Sequence, residues 1–400
     1  MLRLLHTADV HLGARHTDLG DRAVALRERQ FAAFAASIDL AITEKVDLFL
    51  IAGDLFDSNV QPRRSVDRAV AQLRRLVEAK IRTVLIPGTH DVYDRSSIYR
   101  AYDIPALAGA VGSDLLTVLD PERVDVLLPT LDVVVHGRCF ATKRAPASPL
   151  HGFDASADDR ATWHVGLLHA AVAIPNQTDA DDVVITTDEI AASHLDYLAL
   201  GHWHSTSQGK AGATTWAYSG APEAVAIDQD RAGSVLLVTL EQRNGKKQVA
   251  VEPRTVATTR FERLDIDAAT IAGQSALLES LVQRASPDLV LDVRLIGVRP
   301  ETLDLDLDEV ESQLGERFLR LRVRDRSVAP LTEGLLPPPD TVLGAFIRDL
   351  EGRIAELEAA SDAAPTVGEG PEVGDDGPAT ELRDALRLGR LLLGGEEVTL

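Results

Sequence analysis

Six side chains able to ligate a divalent cation, Asp9, His11, Asp54, His169, His202 and His204, sit just after short apolar runs. Asp9 and His11 follow LRLL, Asp54 follows LFLIAG, His169 follows VGLL, and His202 with His204 follow YLALG; His90 likewise follows VLIPG. Runs of this kind read as buried strands, and open α/β sheets bind ligands at the carboxyl ends of their strands, so these segments are expected to bring polar groups to one crevice. Asp9 with His11, and His202 with His204, are two residues apart. In extended backbone residues i and i+2 point the same way, so each pair is expected to reach one ion or two adjacent ions. Imidazole and carboxylate without thiolate suit Mn2+, Fe2+ or Zn2+ better than Ca2+. Two such ions about 3.5–4 Å apart clamp a phosphate, one activating water and the other steadying charge on the leaving oxygen, with Asp54 in the natural bridging position.

The elements that must position these groups alternate along the chain. The strand LRLLHTAD is followed by a helix with Phe31, Phe34, Ala35, Ile38 and Ile42 at helical spacing, then by the strand VDLFLIAGD. A second helix opens near Pro62 and carries Val66, Val70, Leu73 and Val77 ahead of TVLIPG, which is βαβ logic with a largely parallel sheet. VDVLLP, LDVVVHG, WHVGLLH and LDYLALG read as further buried strands, and Asn244-Gly245 between GSVLLVTLE and KQVAVEP is a hairpin signal. This catalytic unit is expected to end near residue 255. A small α/β domain is expected over 256–330, with strands LVLDVRLIG and FLRLRVRD and helices near 275–284 and 307–314. Over 331–400 a helix striped with Leu343, Phe346, Ile347, Leu350, Ile354 and Leu357 precedes the acidic linker APTVGEGPEVGDDGP and a last amphipathic helix with Leu382, Ala385, Leu386 and Leu393.

Bulk properties narrow the function. The lone Cys139 rules out an internal disulfide and leaves His, Asp, Glu or Asn as ligands. No apolar run approaches the roughly 18 residues of a membrane span, and MLRLLHTADVH becomes polar too early for a signal peptide, so a cytoplasmic protein is expected. Acidic side chains outnumber basic ones 62 to 41, a formal charge of −21. Such a surface repels a polyanion, so nucleic-acid binding would need local basic patches, bound metal or a partner.

In order, HTADVHLG, AGDLFD, PGTHD, LLHA, LGHWH and YSGAPE resemble the motifs of calcineurin-like metallophosphoesterases, in the form found in SbcD-type DNA-repair nuclease subunits. The likeness covers roughly residues 1–225 by motif. It implies a four-layer αββα sandwich with a small α/β capping domain and C-terminal helices, and two divalent ions, Mn2+ being the expected metal. It implies that Asp9, His11, Asp54 and His204 hold the first ion, and that Asp54, residue 89, His169 and His202 hold the second. His90 would act on the leaving oxygen without ligating metal, with Asp91 orienting its imidazole and Asp57 a weaker supporting candidate. The implied activity is a 3′-5′ exonuclease and endonuclease acting on DNA double-strand breaks or hairpins, as a homodimer joined to two SbcC-like P-loop ATPases whose coiled coils the C-terminal helices would clamp. One residue departs from the pattern: the family has Gly-Asn-His-Asp, and this chain has Gly88-Thr89-His90-Asp91. A threonine hydroxyl is a shorter, poorer oxygen donor than the Asn carbonyl, so the second ion is expected to be held more weakly.

Two other readings stay open on the residues alone: a metallophosphoesterase for a small substrate, which the same ligands could serve, and a catalytically weakened scaffold, motivated by Thr89. His6, His16, His136, His151, His164 and His194 are expected to be ordinary hydrogen-bonded residues. Arg15, Arg63, Arg64, Arg95 and Arg100 are expected on solvated faces, and Trp203 in packing.

Overall fold

The structure is a computed structural model describing residues 1–16, 23–145, 147–173, 183–224, 231–300, 302–328 and 337–362, together with 382, 385, 386 and 389. The acidic linker expected over 364–378, and most of the last amphipathic helix, lie outside the described residues. The chain forms two compact units, Met1–Arg260 and Phe261–Leu400.

The first unit begins with β1 (Leu2–Thr7), α1 (Ala23–Thr43), β2 (Leu48–Ala52), α2 (Arg63–Glu78), β3 (Arg82–Ile86), the short helices α3 (Ile98–Ala101) and α4 (Ile104–Leu107), and β4 (Leu116–Val118). Then come β5 (Asp125–Leu128), β6 (Val133–Gly137), β7 (Trp163–His169), β8 (Ala171–Val172), β9 (Val184–Ile185), α5 (Thr187–Ala192), β10 (Tyr197–Gly201), β11 (Ser207–Ala211) and β12 (Thr214–Tyr218). The hairpin β13 (Ser234–Arg243) and β14 (Lys246–Thr255) closes the unit. It turns at Asn244 and Gly245, both at positive φ (52° and 76°), as a two-residue hairpin loop requires.

Two six-stranded sheets result, ordered β14-β13-β1-β2-β3-β4 and β11-β12-β10-β7-β6-β5. Each is parallel at its centre, with antiparallel strands added at the flanks. Alternation along the strands decides the layers. Leu4, Leu50, Val84, Val135, Val165, Leu167 and Ala199 meet in one apolar core between the sheets, while Leu5, Phe49, Ile51 and Leu85 point outward against Phe34, Ile38, Val66 and Leu73 of α1 and α2. The outer face of the second sheet packs on Leu150, Ala155, Val172, Ile185 and Ile190, so among the described residues its fourth layer holds α5, the small β8-β9 sheet and irregular chain. The capping box in which Thr186 and Glu189 bond each other's backbone N–H holds α5 in place. The fold is the expected αββα sandwich.

In the second unit, β15 (Arg260–Asp267), α6 (Gln274–Val282), β16 (Leu289–Ile296), α7 (Leu307–Leu314) and β17 (Arg320–Asp325) form a three-stranded sheet ordered β15-β16-β17 over a core of Leu277, Leu281, Leu291, Val293, Val310 and Val323. α8 (Val342–Asp362) buries Ile347, Leu350 and Ile354 on one stripe. Among the described residues no helix is long and apolar enough to cross a membrane.

Gly201 lies where β10 approaches the end of β2. A Cβ there would sit 1.9 Å from the Ala52 carbonyl oxygen and 2.9 Å from both Ala8 Cβ and His169 Nδ1. Backbone cannot yield to it, so Gly201→Ala is expected to lower unfolding free energy by about 1–3 kcal/mol, seen as a lower urea midpoint at unchanged slope. A midpoint equal to that of the unsubstituted protein would contradict this close approach.

Candidate metal centre

The loops leaving β1 and β2 stay joined after their strands end. Asp9, His11 and Leu12 donate their N–H groups to the carbonyls of Gly53, Asp54 and Leu55 at 3.1, 3.0 and 3.0 Å. This places Asp9 and His11 directly beside Asp54, but not through extended backbone as the two-residue spacing suggested. Asp9, His11, Asp54 and His202 all have positive φ, at 52°, 49°, 51° and 104°. The side chains are aimed by left-handed turns past the strand ends, and such backbone outliers concentrate at functional sites.

Among the described residues, ligand atoms of Asp9, His11 and His204 lie within 4.8 Å of one another, as do those of Asp9, Asp54 and His169. Asp9 is therefore common to both groups, while Asp54 Oδ2 lies 3.9 Å from His11 Nε2 and 3.2 Å from His169 Nε2. His11 Nε2 and His204 Nε2 are 3.1 Å apart. The His202 ring stands edge-on to that of His169, with centroids 5.4 Å apart, and its backbone N–H donates to both oxygens of Asp9 at 3.0 and 3.1 Å. Asp9, His11, Asp54 and His169 are all buried.

His169 carries the sharpest indication of a cation. Its Nδ1 faces the Ala52 carbonyl at 2.9 Å, which can only accept, so Nδ1 keeps its proton throughout and Nε2 is the nitrogen that gives up a proton to offer a lone pair. Nε2 is buried and out of hydrogen-bonding line, although Asp54 Oδ2 is close. An orphaned imidazole nitrogen beside buried carboxylates is what a divalent ion would complete, and the all-oxygen-and-nitrogen donor set suits a first-row transition ion. Electrostatics point the same way. Burial opposes charge on His169, but Asp54 and Asp9 outweigh it and push its pKa up to about 10. Burial likewise works against ionised Asp54, yet His169, His11 and His90 hold its carboxyl far below the usual range.

His90 lies at the rim with its side chain 47% exposed and its ring edge-on to His11, centroids 4.6 Å apart. Asp91, expected to orient that ring, does other work. It accepts from the N–H groups of Gly88 (2.7 Å) and Phe56 (3.1 Å) and from the Tyr99 hydroxyl (2.5 Å), clamping the loop after β3 to the loop after β2. Burial and Asp54 raise its pKa to about 6. The His90 ring is instead held by Asp57, whose carbonyl accepts from Nδ1 at 3.0 Å and whose carboxylate lies 3.3 Å from His11 Nδ1. His90 N–H donates to Asp54 Oδ1 at 2.7 Å, and Gly88 is required there because a Cβ would meet that oxygen at 2.2 Å. Thr89 is half-buried on this turn. Tyr99 carried no sequence signal, since its role depends on a contact with Asp91 made by tertiary folding. Trp203 packs against Tyr218 at 6.1 Å. Of the flanking arginines, Arg63 pairs with Asp67 and Arg100 lies over the Tyr93 ring.

A family model described as calcineurin-like phosphoesterase matches residues 2–206. The chain is 31% identical over 251 residues to the DNA double-strand break repair protein Mre11 of Aeropyrum pernix, covering 60% of this chain and 58% of that protein. It is 24% identical over 359 residues to the Halobacterium salinarum protein of the same name, covering 88% and 86%. It is 25% identical over 376 residues to the uncharacterized metallophosphoesterase YhaO of Bacillus subtilis, covering 88% and 87%.

With its pKa raised from 6.5 to about 10, His169 in the metal-free protein keeps a proton that the unfolded chain releases. Its stabilising contribution is therefore full below about pH 6.5 and lost as pH rises through 10. A cation must displace that proton, so metal uptake runs the other way and strengthens with pH, about tenfold per unit for each proton displaced. Calorimetry of Mn2+ binding at pH 8 in buffers of different ionisation enthalpy is expected to show proton release. Buffer-independent heats would sink this assignment.

Proposed function

The chain belongs to the calcineurin-like phosphoesterase family, and from that premise we propose that it is a two-metal DNA nuclease working with a coiled-coil P-loop ATPase. The observation that carries the reading is the convergence of Asp9, His11, Asp54, His169 and His204 below an exposed His90. Relatives named for double-strand break repair support DNA as the substrate and DNA-end processing as the role. Asp9, His11, Asp54, His202 and His204 with His169 would hold two divalent ions, Mn2+ in this proposal, with residue 89 as a weak further donor. When bound, the ions supply an activated water and neutralise charge on the phosphate.

The chain's own groups do the rest. The Asp57 carbonyl fixes the proton on His90 Nδ1, which leaves Nε2 as the nitrogen available to a substrate oxygen. His90 stands at the rim and is proposed to protonate the leaving oxygen. Asp57 is a positioning residue that ties His90 and His11 together. Asp91 and Tyr99 keep the His90 turn seated on Asp54. The ATPase partner, the heterotetrameric assembly, the capping role of residues 256–330 and clamping by 331–400 belong to the same proposal.

The discriminating assay compares hydrolysis of bis(p-nitrophenyl) phosphate with that of labelled duplex DNA, with and without the ATPase. Cleavage of DNA stimulated by the partner is expected, whereas turnover of the small diester alone would favour a small-substrate enzyme. His90→Asn is expected to reduce turnover by about 10²–10⁴ while Mn2+ stoichiometry is kept; near-normal turnover would remove His90 from the chemistry. Thr89→Asn is expected to tighten Mn2+ binding about tenfold or more and to raise nuclease activity at limiting metal. Unchanged affinity and unchanged turnover would show that residue 89 is not a ligand position here.

A further inference from the structure

A second group of potential ligands lies on the outer face of the second sheet, opposite the inter-sheet core. His136 on β6 and His164 on β7 are both buried there, at 8% and 7% exposure. Strand register pairs Val134 with His164 and His136 with Gly166, so the imidazoles are diagonal neighbours with an empty side-chain position beside them. Their rings are nearly parallel, 17° apart, and His136 Nε2 lies 3.1 Å from His164 Nδ1. Asp158 Oδ2 is 3.9 Å from His136 Nε2, and ligand atoms of all three residues lie within 4.8 Å of one another. In the metal-free protein this contact is a hydrogen bond between the rings; two nitrogens bound to one tetrahedral zinc ion at about 2.0–2.1 Å stand about 3.3 Å apart, so an ion would replace that bond after a small rotation of the rings.

The third group is already held in place. Arg160 donates its backbone N–H to Asp158 Oδ1 at 3.0 Å and its guanidinium to Oδ2 at 2.7 Å, and it also pairs with Asp125. Metal ligands are commonly oriented by such outer hydrogen bonds. A cavity of about 170 Å³ opens beside the cluster, with room for a further ligand such as water. Its charged lining is Asp125, Asp154 and Asp158 against Arg138 and Arg160, an acidic excess that tolerates a cation.

We propose that His136, His164 and Asp158 form a second, structural cation site selective for a borderline transition ion such as Zn2+. Asp158 lies in the connection 138–162, which among its described residues has neither helix nor strand. An ion there would clip that long segment onto β6 and β7 and so offset its ordering entropy. Two imidazoles and one carboxylate favour Zn2+ over Mg2+ or Mn2+. The site is independent of the metal centre, because His164 and His169 are five residues apart on β7, about 16 Å along a strand.

The test compares Zn2+ retained by the full chain, by His164→Gln and by Asp158→Asn after dialysis, with affinities read by competition against a chromophoric chelator. The unsubstituted chain is expected to hold one equivalent more than His164→Gln, and Zn2+ to raise its Tm by more. Asp158→Asn is expected to bind that equivalent at least tenfold more weakly. It keeps both rings, and it decides the matter alone should His164→Gln fail to fold. Mn2+-dependent hydrolysis of bis(p-nitrophenyl) phosphate is expected to be the same in all three, so loss of that activity cannot be mistaken for loss of this site. Equal Zn2+ stoichiometry and affinity in Asp158→Asn and the unsubstituted chain would overturn the proposal and leave a hydrogen-bonded histidine pair.

Discussion

Two buried carboxylates, Asp9 and Asp54, with oxygens close to the same imidazole, are the constraint on which the centre depends. Removing one ionised carboxylate from water is costly, and two neighbouring ones repel, so the pair persists only where positive charge or oriented dipoles face it. The fold supplies dipoles first: His202 N–H on Asp9 and His90 N–H on Asp54. It supplies charge next, through His169 with its elevated pKa. A divalent ion replaces that proton with a larger charge at the same place, which is why the proton and the metal are alternatives.

Holding the carboxylates there demands backbone that strands cannot provide. Left-handed turns at Asp9, His11, Asp54 and His202 cost stability, of order 1–3 kcal/mol for sparsely populated conformations, somewhat less for Asp. Three hydrogen bonds between the loops after β1 and β2 and the Asp91 clamp onto Phe56 and Gly88 hold them in place. The first sheet contributes Asp9, His11, Asp54 and His90, the second contributes His169, His202 and His204. Site geometry therefore depends on the packing between the sheets, with Gly201 pressed against the Ala52 carbonyl.

The clustering of these His and Asp side chains and the sandwich were legible because both follow from local signals: apolar runs that end in His or Asp, and 3.6-residue stripes in α1 and α2. The direction of the side chains was not, because Asp9 and His11 sit beyond the pleat whose alternation was used to aim them. Asp91 was expected at His90 on the strength of adjacency, yet neighbours on a tight turn diverge, and Asp57 from another loop meets the ring instead. The strands β11, β12 and β15 lack long apolar runs; β11 and β15 are sheet edges, and the burial of β12 comes from partners distant in sequence. His136 and His164 are hydrogen-bonded as expected, but that they bond to each other was not legible, since only strand register makes them neighbours.

The charge of −21 set against the polyanionic substrate proposed above is the remaining tension, and the centre offers its own resolution. Asp9, Asp54 and Asp57 bring three negative charges to the crevice, which protonated His169 offsets only in part, so without metal the groups meant to act on a phosphate repel it. Under the proposed loading, two divalent ions add four positive charges against those three. The sign of the crevice is thereby inverted within a Debye length of the reacting phosphorus, while the rest of the surface stays acidic. Under that proposal, metal loading would govern whether substrate can approach as well as whether it can react, and the acidic surface would admit a phosphodiester only at the loaded centre or alongside a partner that brings basic groups of its own.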